Sequence, residues 1–478
     1  MDFVAELTRV LGSINVWLYT YYLVALLIIV GVFYSFKLGF VQLRLFAESV
    51  RVIAEKESDG KKHVEYISPF QALMISTASR VGIGNIAGIA FAITTGGPGA
   101  IFWMWVMAFF GGASAFAEST LAQVYKTRDG NGFKGGPAYY MRRGLKLKWM
   151  GMLFAIVLIL TYAYGFNGLQ SFTMTSAFEV YYKSMGGVSF ADSRWPIYIG
   201  LVLAAFSAIM FFSKSYVIGK VSSIIVPCMA FAYIFLALLA VAMNLEKVPE
   251  VFHLIISGAF DFKAIFGGFA GSAIVIGIKR GLFSNEAGMG SAPNAAAAAH
   301  TSHPVKQGLV QALSVFIDVV ICSSSAFLVL FSTAFVQKGQ ALTAMPLVQK
   351  AMEGYYGSAG LYFVTIAIVL FAITSLIGNY YYAQANIKYL TKSKGVMLLF
   401  QASAVAMVFV GSQMNLTLAW ELADVLMGFM ATLNIIAILF LSGIVSKSLK
   451  DYMQQRKQGL NPQFSAKKLG IKNTECWD

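Results

Sequence analysis

Charged residues are scarce in this chain, where Asp, Glu, Lys and Arg together make up 12% of 478 residues. An average soluble domain carries about 25% charged residues, so this chain could not cover the surface of a soluble fold. Disorder is excluded by what is plentiful, because 58% of the residues are hydrophobic and 14% are aromatic. Disordered chains have the opposite composition. What remains is a polytopic membrane protein.

Cysteine and histidine are also rare, with three Cys and four His in the whole sequence. Cys228, Cys322 and Cys476 are scattered, so they indicate neither a disulfide framework nor a paired metal site. No catalytic cluster such as a Ser-His-Asp arrangement is evident. These absences disfavour a membrane enzyme, and we predict that the protein is not an enzyme.

Long apolar runs are what the chain does have. A spanning helix needs about 20 mostly apolar residues, and this rule predicts an all-α protein with about 11 transmembrane helices. Their approximate ranges are 16–36, 70–95, 99–124, 149–180, 195–212, 216–243, 262–290, 305–336, 357–387, 395–411 and 415–446. The segment Gly39–Lys56 is amphipathic, so we expect it to lie along the inner membrane surface.

The basic residues predict the orientation. Lys and Arg number 36 and give a net charge of +14. When the connections are assigned alternately to two sides, 28 of these residues fall on one side and 7 on the other, with Arg80 inside a span. The positive-inside rule then predicts a multi-pass protein of the cell membrane, with the N-terminus outside and the C-terminus cytoplasmic. No basic folded domain is left to bind nucleic acid.

Two predicted spans are interrupted by small residues. The first interruption is Ser79–Gly88, and the second extends over Gly267–Ser272, Ile276–Gly281 and Phe283–Ser291. Glycine at this density destabilises a helix. One interpretation is an unwound segment whose N–H groups bind a carboxylate and whose carbonyls bind Na⁺. The alternative is a seam of small residues for close helix packing.

The two interruptions occupy corresponding positions. Without the first span, the other ten divide into two sets of five, and each interruption falls in the first helix of its set. Because five is odd, the sets have opposite orientations, as in inverted-repeat transporters. We predict an extra N-terminal transmembrane helix and a cytoplasmic amphipathic helix in 1–66, five-helix repeats in 67–246 and 247–446, and a cytoplasmic tail in 447–478.

Polar side chains inside the predicted spans are candidates for the transport path. Intramembrane acids default to function, although each can also serve as a pairing partner in helix packing. These acids are Glu118, Asp318, Glu421 and Asp424. The hydroxyls of Thr374 and Ser375 either bond to their own backbone or join a Na⁺ site. Asn167 and Gln170 share a face beside Phe166, and either line a polar cavity or hydrogen-bond across helices.

Five longer motifs are spread over essentially the whole chain. They are Val81–Gly88 (VGIGNIAG), Gly96–Trp105 (GGPGAIFWMW), Gly135–Tyr140 (GGPAYY), Phe283–Asn294 (FSNEAGMGSAPN) and Tyr452–Gly459 (YMQQRKQG). Together they resemble the alanine/glycine:cation symporters, the sodium:alanine symporter family of the APC superfamily. This family is similar in fold to LeuT-type transporters, which implies a 5+5 inverted repeat, here with one extra N-terminal helix.

The resemblance implies a role for each matching position. The amides of Ile83 and Gly84 would hold the substrate carboxylate, and Asn85 would shape the break or a second cation position. The implied sodium ligands are the carbonyls of Ala78 and Val81 and the hydroxyls of Thr374 and Ser375. The remaining substrate-site residues would be Phe166, Asn167, Gln170 and Asn379, with Gly271, Ile276 and Gly277 from the opposite repeat.

This sequence departs from the family pattern at two of these positions. Ile83 stands where many members have Thr, which removes a hydroxyl contact and keeps a backbone contact. Asn379 stands where some alanine-selective members have Trp. Because Asn is smaller and offers both a donor and an acceptor, we expect the pocket to admit a longer or amide-bearing side chain such as glutamine.

Taken together, these features predict a Na⁺-coupled symporter that imports small neutral amino acids of the alanine/glycine class by alternating access. The expected partners are the amino acid, Na⁺ and the lipid bilayer, and the sequence does not define the oligomeric state. Two alternatives stay open among transporters: a sodium-coupled glutamine symporter of the same family, and a proton-coupled amino-acid transporter that uses Glu118 or Asp318. A channel is the further alternative.

Overall fold

The structure is a bundle of helices with one short β-hairpin. The computed structural model describes residues 3–55, 67–130, 132–213, 215–261, 268, 271–335 and 342–477, with the side chains of 215–223 left out. The elements are α1 (Phe3–Lys37), α2 (Val41–Arg44), α3 (Phe46–Ala54), α4 (Pro69–Arg80), α5 (Gly84–Gly96), α6 (Ala100–Val124), β1 (Thr127–Asp129), β2 (Gly132–Lys134), α7 (Pro137–Arg143), α8 (Lys148–Ser184), α9 (Trp195–Phe211), α10 (Ser215–Ala242), α11 (Val248–Ala259), α12 (Ala273–Asn285), α13 (Pro293–Ala298), α14 (Pro304–Leu330), α15 (Ala344–Leu390), α16 (Lys394–Ser412), α17 (Leu416–Phe440) and α18 (Ser442–Lys457).

Within these described ranges, eight helices are long and apolar enough to cross a membrane, or nine if α4 and α5 count as one bent span. The apolar helix α9 is shorter, and residues 262–267, 269 and 270 of the seventh predicted span lie outside the described residues. The multi-pass helical class is therefore confirmed, while the count of eleven and the 5+5 repeat stay predictions.

The first interruption is a bend of 51° between α4 and α5. α4 begins with a capping box, in which Ser68 and Gln71 each accept the other's backbone N–H, and Pro69 occupies the first helical turn. The helix ends at Arg80 because Val81 has extended backbone angles of φ −80° and ψ 91°. α5 then starts as a π-helix over Gly84–Gly88, so the glycine cluster does mark an unwound segment.

The second interruption lies later in the chain than the glycines suggested. α12 is regular from Ala273 to Asn285, so Ile276–Gly281 is helix and not a break. Its glycines serve packing, because a methyl group on Gly277 would lie 2.4 Å from the Ala100 carbonyl oxygen. The helix ends where Glu286 adopts a left-handed backbone with φ 54°, and residues 286–292 form turns before α13.

Two further boundaries differ from the predicted ones. α1 begins at Phe3 rather than near residue 16, because its polar residues bond within the helix, as in the Arg9–Glu6 pair. The predicted span 357–387 lies inside the longer α15, and Gly357, with φ 61° and ψ −151°, breaks the helix where that span was expected to begin. The predicted amphipathic segment forms α2 and α3.

The broken pair α4–α5 sits in the core and positions the site. α4 packs against α13, α14 and α15, and α6 packs against both α12 and α14. Every residue of α4 from Ala72 onward is buried, and so is every residue of the π-helical turn Gly84–Gly88. α18 crosses the expected boundary at residue 446, and the chain that follows it, 458–477, folds back onto the bundle.

Candidate functional site

The first break brings α15 and α8 against the backbone of Gly82. A methyl group on Gly82 would lie 2.3 Å from Ser375 Oγ and 3.0 Å from Gln170 Nε2, so only glycine fits. The Gly82 N–H donates to Asn85 Oδ1 over 3.0 Å. At the break, the buried backbone therefore lies in close contact with polar side chains from two other helices.

The implied sodium ligands lie at the end of α4. Ser375 Oγ donates to the Ala78 carbonyl over 3.0 Å, which joins α15 to α4. Thr374 behaves differently, since its hydroxyl donates to the Phe371 carbonyl of its own helix over 3.0 Å. Val81 has left the helix, with ψ 91°, so its carbonyl no longer points along α4. The donor set is made of neutral oxygens, which suits Na⁺ at an unwound helix.

The predicted polar face of α8 meets Asn379 from α15. Asn379 Nδ2 donates to Asn167 Oδ1 over 3.0 Å, and Asn379 Oδ1 accepts from Ser79 Oγ over 2.9 Å. Both atoms of the Asn379 carboxamide are thus used inside the protein. Asn167 Nδ2 and Gln170 Oε1 are buried and have no hydrogen-bond partner among the described residues. Unmet buried polar atoms cost about 1–3 kcal/mol each, which favours a ligand that satisfies them.

Aromatic side chains cover one end of the break, and we call Phe91, Arg280, Phe283, Trp420 and Asp424 the Trp420 cluster. The Phe283 ring is 5.0 Å from Trp420, and Trp420 stacks on Phe91 at 5.4 Å. Arg280 lies 4.1 Å above the Trp420 ring and is paired with Asp424. The cluster closes this end of the site with stacked rings around one ion pair.

Phe166 and Phe283 connect the Trp420 cluster to the break. Their ring centroids are 4.8 Å apart, and a methyl group on Gly84 would lie 2.7 Å from the Phe283 ring. Ile83, between the two glycines of the break, is fully buried. Phe283 of α12 therefore contacts the predicted carboxylate-binding turn. The sequence had instead predicted that Gly271, Ile276 and Gly277 approach this turn.

Asn85 joins the break to an acid on α14. Its Nδ2 donates to Asp318 Oδ1 over 2.6 Å, and Ser284 Oγ lies 2.9 Å from both Asp318 oxygens. Cys322, one turn along α14, is 3.2 Å from Asn85 Nδ2. Asp318 is thus held by neutral donors that come from both interrupted regions.

Two carboxylates hold the second break. Glu118 on α6 accepts the N–H groups of Gly288 and Gly290 over 3.3 and 3.1 Å, and Asn434 Nδ2 over 2.6 Å. Glu286 accepts from Ser79 over 2.8 Å and from Ser291 over 2.7 Å. Ser79 therefore ties the second break to the end of α4.

Arg80 is buried, with 2% of its surface exposed. One guanidinium nitrogen donates to Ser314 Oγ on α14, and the other two have no hydrogen-bond partner among the described residues. Glu118, Glu286 and Asp318 all lie within electrostatic range of it. Arg80 is therefore a buried positive charge that interacts electrostatically with three buried acids.

The other two intramembrane acids have pairing roles. Asp424 pairs with Lys279 at 2.8 Å and with Arg280. Glu421 faces α1, where Asn15 Nδ2 donates to its side chain and, over 3.0 Å, to its backbone carbonyl. The helix-packing interpretation thus describes Glu421, and Asp424 belongs to the Trp420 cluster.

Three predicted site residues are not brought to the first break. Gly271 is exposed, with no heavy atom of the described residues within 4 Å of its missing side chain, and Gly277 packs on Ala100. Ile276 packs against Gly96 at the far end of α5. The reason is that α12 is intact here, so the residues that face the break come two turns later, at Phe283 and Ser284.

Sequence reasoning also missed Ser79 and Glu286. Glu286 carried a usable signal, because it is an acid inside a predicted span and inside one of the long motifs. Ser79 carried none, since a serine near a helix end has many ordinary roles. Its importance comes from its position between Glu286 and Asn379.

A broken helix that offers backbone groups and buried polar side chains is the arrangement found in secondary transporters. Residues 4–466 match the sodium:alanine symporter family, and the chain belongs to that family. It is thus a membrane transporter, a sodium-coupled amino-acid symporter, and not an enzyme.

Individual relatives agree with this assignment. The chain is 46% identical to the probable sodium/glutamine symporter GlnT of Bacillus subtilis, over 98% of this chain and 96% of GlnT. It is 38% identical to the sodium/alanine symporter AgcS of Methanococcus maripaludis, over 96% and 99%. The crystal structure of MhsT in complex with L-phenylalanine matches with a TM-score of 0.56 at 12% identity, covering 80% of this chain and 98% of MhsT. This likeness shows the LeuT-type fold.

Proposed function

We propose that this symporter imports neutral amino acids of the alanine/glycine class by alternating access, with the N-terminus outside and the C-terminus in the cytoplasm. The observation that carries the proposal is the first break, where the buried backbone at Val81–Gly84 leaves the α-helix and meets polar groups of α8 and α15. The two halves 67–246 and 247–446 are the proposed inverted repeats. Each would supply one interrupted region to the site.

The substrate roles follow from the chemistry of an amino acid. The amides of Ile83 and Gly84 receive its carboxylate, because the start of α5 carries the positive end of the helix dipole. The ammonium needs acceptors, and Gln170 Oε1 is a buried acceptor without a partner among the described residues. Asn85 and Phe166 complete the walls of this site through Asp318 and Phe283.

The sodium role is assigned to the Ala78 and Val81 carbonyls with the Ser375 and Thr374 hydroxyls. Ser375 already contacts the Ala78 carbonyl, and a small rotation of Thr374 away from Phe371 would add a further oxygen. An ion bound there ties α4 to α15. Sodium binding then favours one arrangement of the two helices, which is the coupling that symport requires.

Uptake into proteoliposomes with only a Na⁺ gradient tests the proposal. We expect Na⁺-dependent uptake that is competed by alanine, glycine and serine. Uptake that is independent of Na⁺ and is driven by a proton gradient would instead support proton coupling through Glu118 or Asp318. Conduction without saturation would support a channel.

Replacing Ser375 and Thr374 by Ala tests the sodium site. We expect the Na⁺ concentration for half-maximal uptake to rise about tenfold, since a ligand to a cation is lost. Ser358→Ala is the matched control, because this hydroxyl is on the same helix but is exposed. An unchanged Na⁺ dependence in the double variant rejects this site.

Glutamine is the second candidate substrate, and the amide groups of α8 favour it. Asn167 Nδ2 is a buried donor without a partner among the described residues, and it complements the carbonyl oxygen of a side-chain amide. Asn379→Trp would place a bulky ring beside Asn167 and remove the hydrogen bond between these two residues. We expect it to lower glutamine uptake more than alanine uptake, and equal losses of both would show that Asn379 does not set side-chain size.

A further inference from the structure

The chain after α18 is held against the bundle at two places. The near anchor comprises Asn461–Phe464 and the far anchor comprises Asn473–Trp477. At the near anchor, Ser302 Oγ donates to the Pro462 carbonyl over 2.9 Å, and the Phe464 N–H donates to the Ser302 carbonyl over 3.0 Å. Lys306 Nζ donates to Asn461 Oδ1 over 2.7 Å. These contacts join the segment to the start of α14.

The far anchor binds a different part of the molecule. Glu475 Oε1 accepts from Thr127 Oγ1 over 2.5 Å and from the Arg128 N–H over 3.2 Å, and Glu475 also pairs with Arg143. Asn473 Nδ2 donates to the Arg143 carbonyl over 3.1 Å. The far anchor therefore fastens the segment to the β-hairpin and α7.

The ionisation of Glu475 maintains this anchor at ordinary pH. The hydrogen bond from Thr127, and the bond from Arg143 after it, lower the pKa of Glu475 to about 2. Because the folded pKa lies below the usual value of 4.5, the stabilising contribution is fully present above that value. It is lost only as the pH falls toward 2.

Trp477 covers the side chains that hold Ala299. Its Nε1 donates to the Gln123 carbonyl over 2.7 Å, and its ring lies 4.5 Å from Lys126 Nζ. Lys126 is 2% exposed and donates to the Ala299 carbonyl over 3.3 Å, while Gln123 Nε2 donates to the same carbonyl over 2.9 Å. The side chains of Lys126 and Gln123 thus hold the Ala299 carbonyl, and Trp477 contacts both of these residues.

Ala299 connects the segment that follows the second break to the segment that precedes the first break. It pairs with Ile67 in a parallel bridge, and the His300 N–H donates to the Ile67 carbonyl over 3.0 Å. Ile67 leads into α4, and Ala299 follows α13. The contact is at the opposite end of α4–α5 from Phe91 and the Trp420 cluster, so it closes the other end of the path.

We propose that residues 473–477 form a latch that holds this end closed and must detach before Ala299 separates from Ile67. The near anchor moves with residues 302–306 and the far anchor with α6 and α7, so these parts cannot separate while both hold. The proposal rests on the proposed alternating access, in which each end opens in turn. The family match ends at residue 466, so the latch lies beyond it.

The test measures how often this end opens, using a thiol reporter. Position 299 is buried in the closed form, and labelling of an Ala299→Cys reporter by a hydrophilic maleimide is followed in purified full-length protein with Cys228→Ser and an intact Cys476. Trp477→Ala and Glu475→Gln should each raise the labelling rate about fivefold, the effect of one lost hydrogen bond. Each variant without the reporter corrects for labelling at Cys322 and Cys476.

Leu460→Ala is the matched control, because this side chain is in the same segment and 51% exposed. The latch is overturned if both latch variants label at the rate of the reporter protein with an intact latch. An equal rise in the Leu460 control also overturns it. If Trp477→Ala does not fold, the exposed Glu475→Gln substitution decides the outcome. Labelling needs no transport, so an absence of Na⁺-driven uptake rejects the proposed function without changing this result.

Discussion

The two interrupted regions differ in how their polar groups are satisfied. Beside the first break, Asn167 Nδ2 and Gln170 Oε1 are buried without a hydrogen-bond partner among the described residues. At the second break, both oxygens of Glu118 and both oxygens of Glu286 accept hydrogen bonds. The first region has capacity left for a ligand, whereas the second is already satisfied by the protein.

This difference shows that paired breaks need not share a task. Glu118 occupies the amides of Gly288 and Gly290, which an anionic ligand would otherwise use. The second break therefore acts as a fixed turn that orients Glu286 toward Ser79. The expected division is that the first break binds and the second break positions, and substitutions at each can test it.

The largest effect is expected from Gly82→Ala. The added methyl group would lie 2.3 Å from Ser375 Oγ, so the Ser375 hydroxyl must leave the Ala78 carbonyl. Overpacking of this kind costs about 1–3 kcal/mol, which predicts a fall of about ten- to a hundredfold in Na⁺-driven uptake. Gly354→Ala is the control, because none of the described residues has a heavy atom within 4 Å of its missing side chain. Normal uptake by Gly82→Ala would show that the break is not the binding region.

A smaller effect, on stability, is expected from Glu118→Gln. The carboxamide has one acceptor oxygen for three donors and turns an NH₂ group toward them. Leaving buried donors unmet costs about 1–3 kcal/mol, so the thermal unfolding midpoint in detergent should fall. Glu6→Gln, a substitution in an exposed pair on α1, should leave the midpoint unchanged. A Glu118 variant as stable as the original protein would contradict the positioning role of the second break.

The smallest effect is expected from Gly288→Ala. Gly288 has a left-handed φ of 82°, but the nearest atom to an added methyl group is 3.7 Å away. The cost is then only the backbone strain of about 1–2 kcal/mol. Uptake should survive with a modestly lower unfolding midpoint. If Gly288→Ala abolishes uptake as completely as Gly82→Ala does, the contrast between the two breaks is wrong.

The sequence predicted the class and the first break well, for physical reasons. A low charge content and long apolar runs admit few folds, and the glycine cluster at 82–88 coincides with a real bend. The meeting of Ser375 with Ala78 was implied by the family resemblance, and the structure places their atoms in contact.

The second break was harder to place from sequence. Glycines serve packing as well as unwinding, and Gly277 and Gly281 turned out to admit α6 rather than to interrupt α12. The anchors at Glu475 and Trp477 were also beyond reach, because their partners lie more than 300 positions away in the chain. Such contacts depend on tertiary placement, which local patterns do not record.

Hydrogen bonds join α1 to α17 and the start of α18 at four points between Asn15 and Lys37. Asn15 bonds the Glu421 carbonyl, Tyr19 bonds the Asp424 carbonyl, Tyr34 bonds the Ile438 carbonyl, and Lys37 bonds Ser442 just beyond the helix. Because these hydrogen bonds hold the two helices together, α1 and α17 cannot tilt independently of each other. In the proposed alternating access, any movement of α17 would carry α1 with it, so the helix outside the two predicted repeats would add friction against the lipid to that movement.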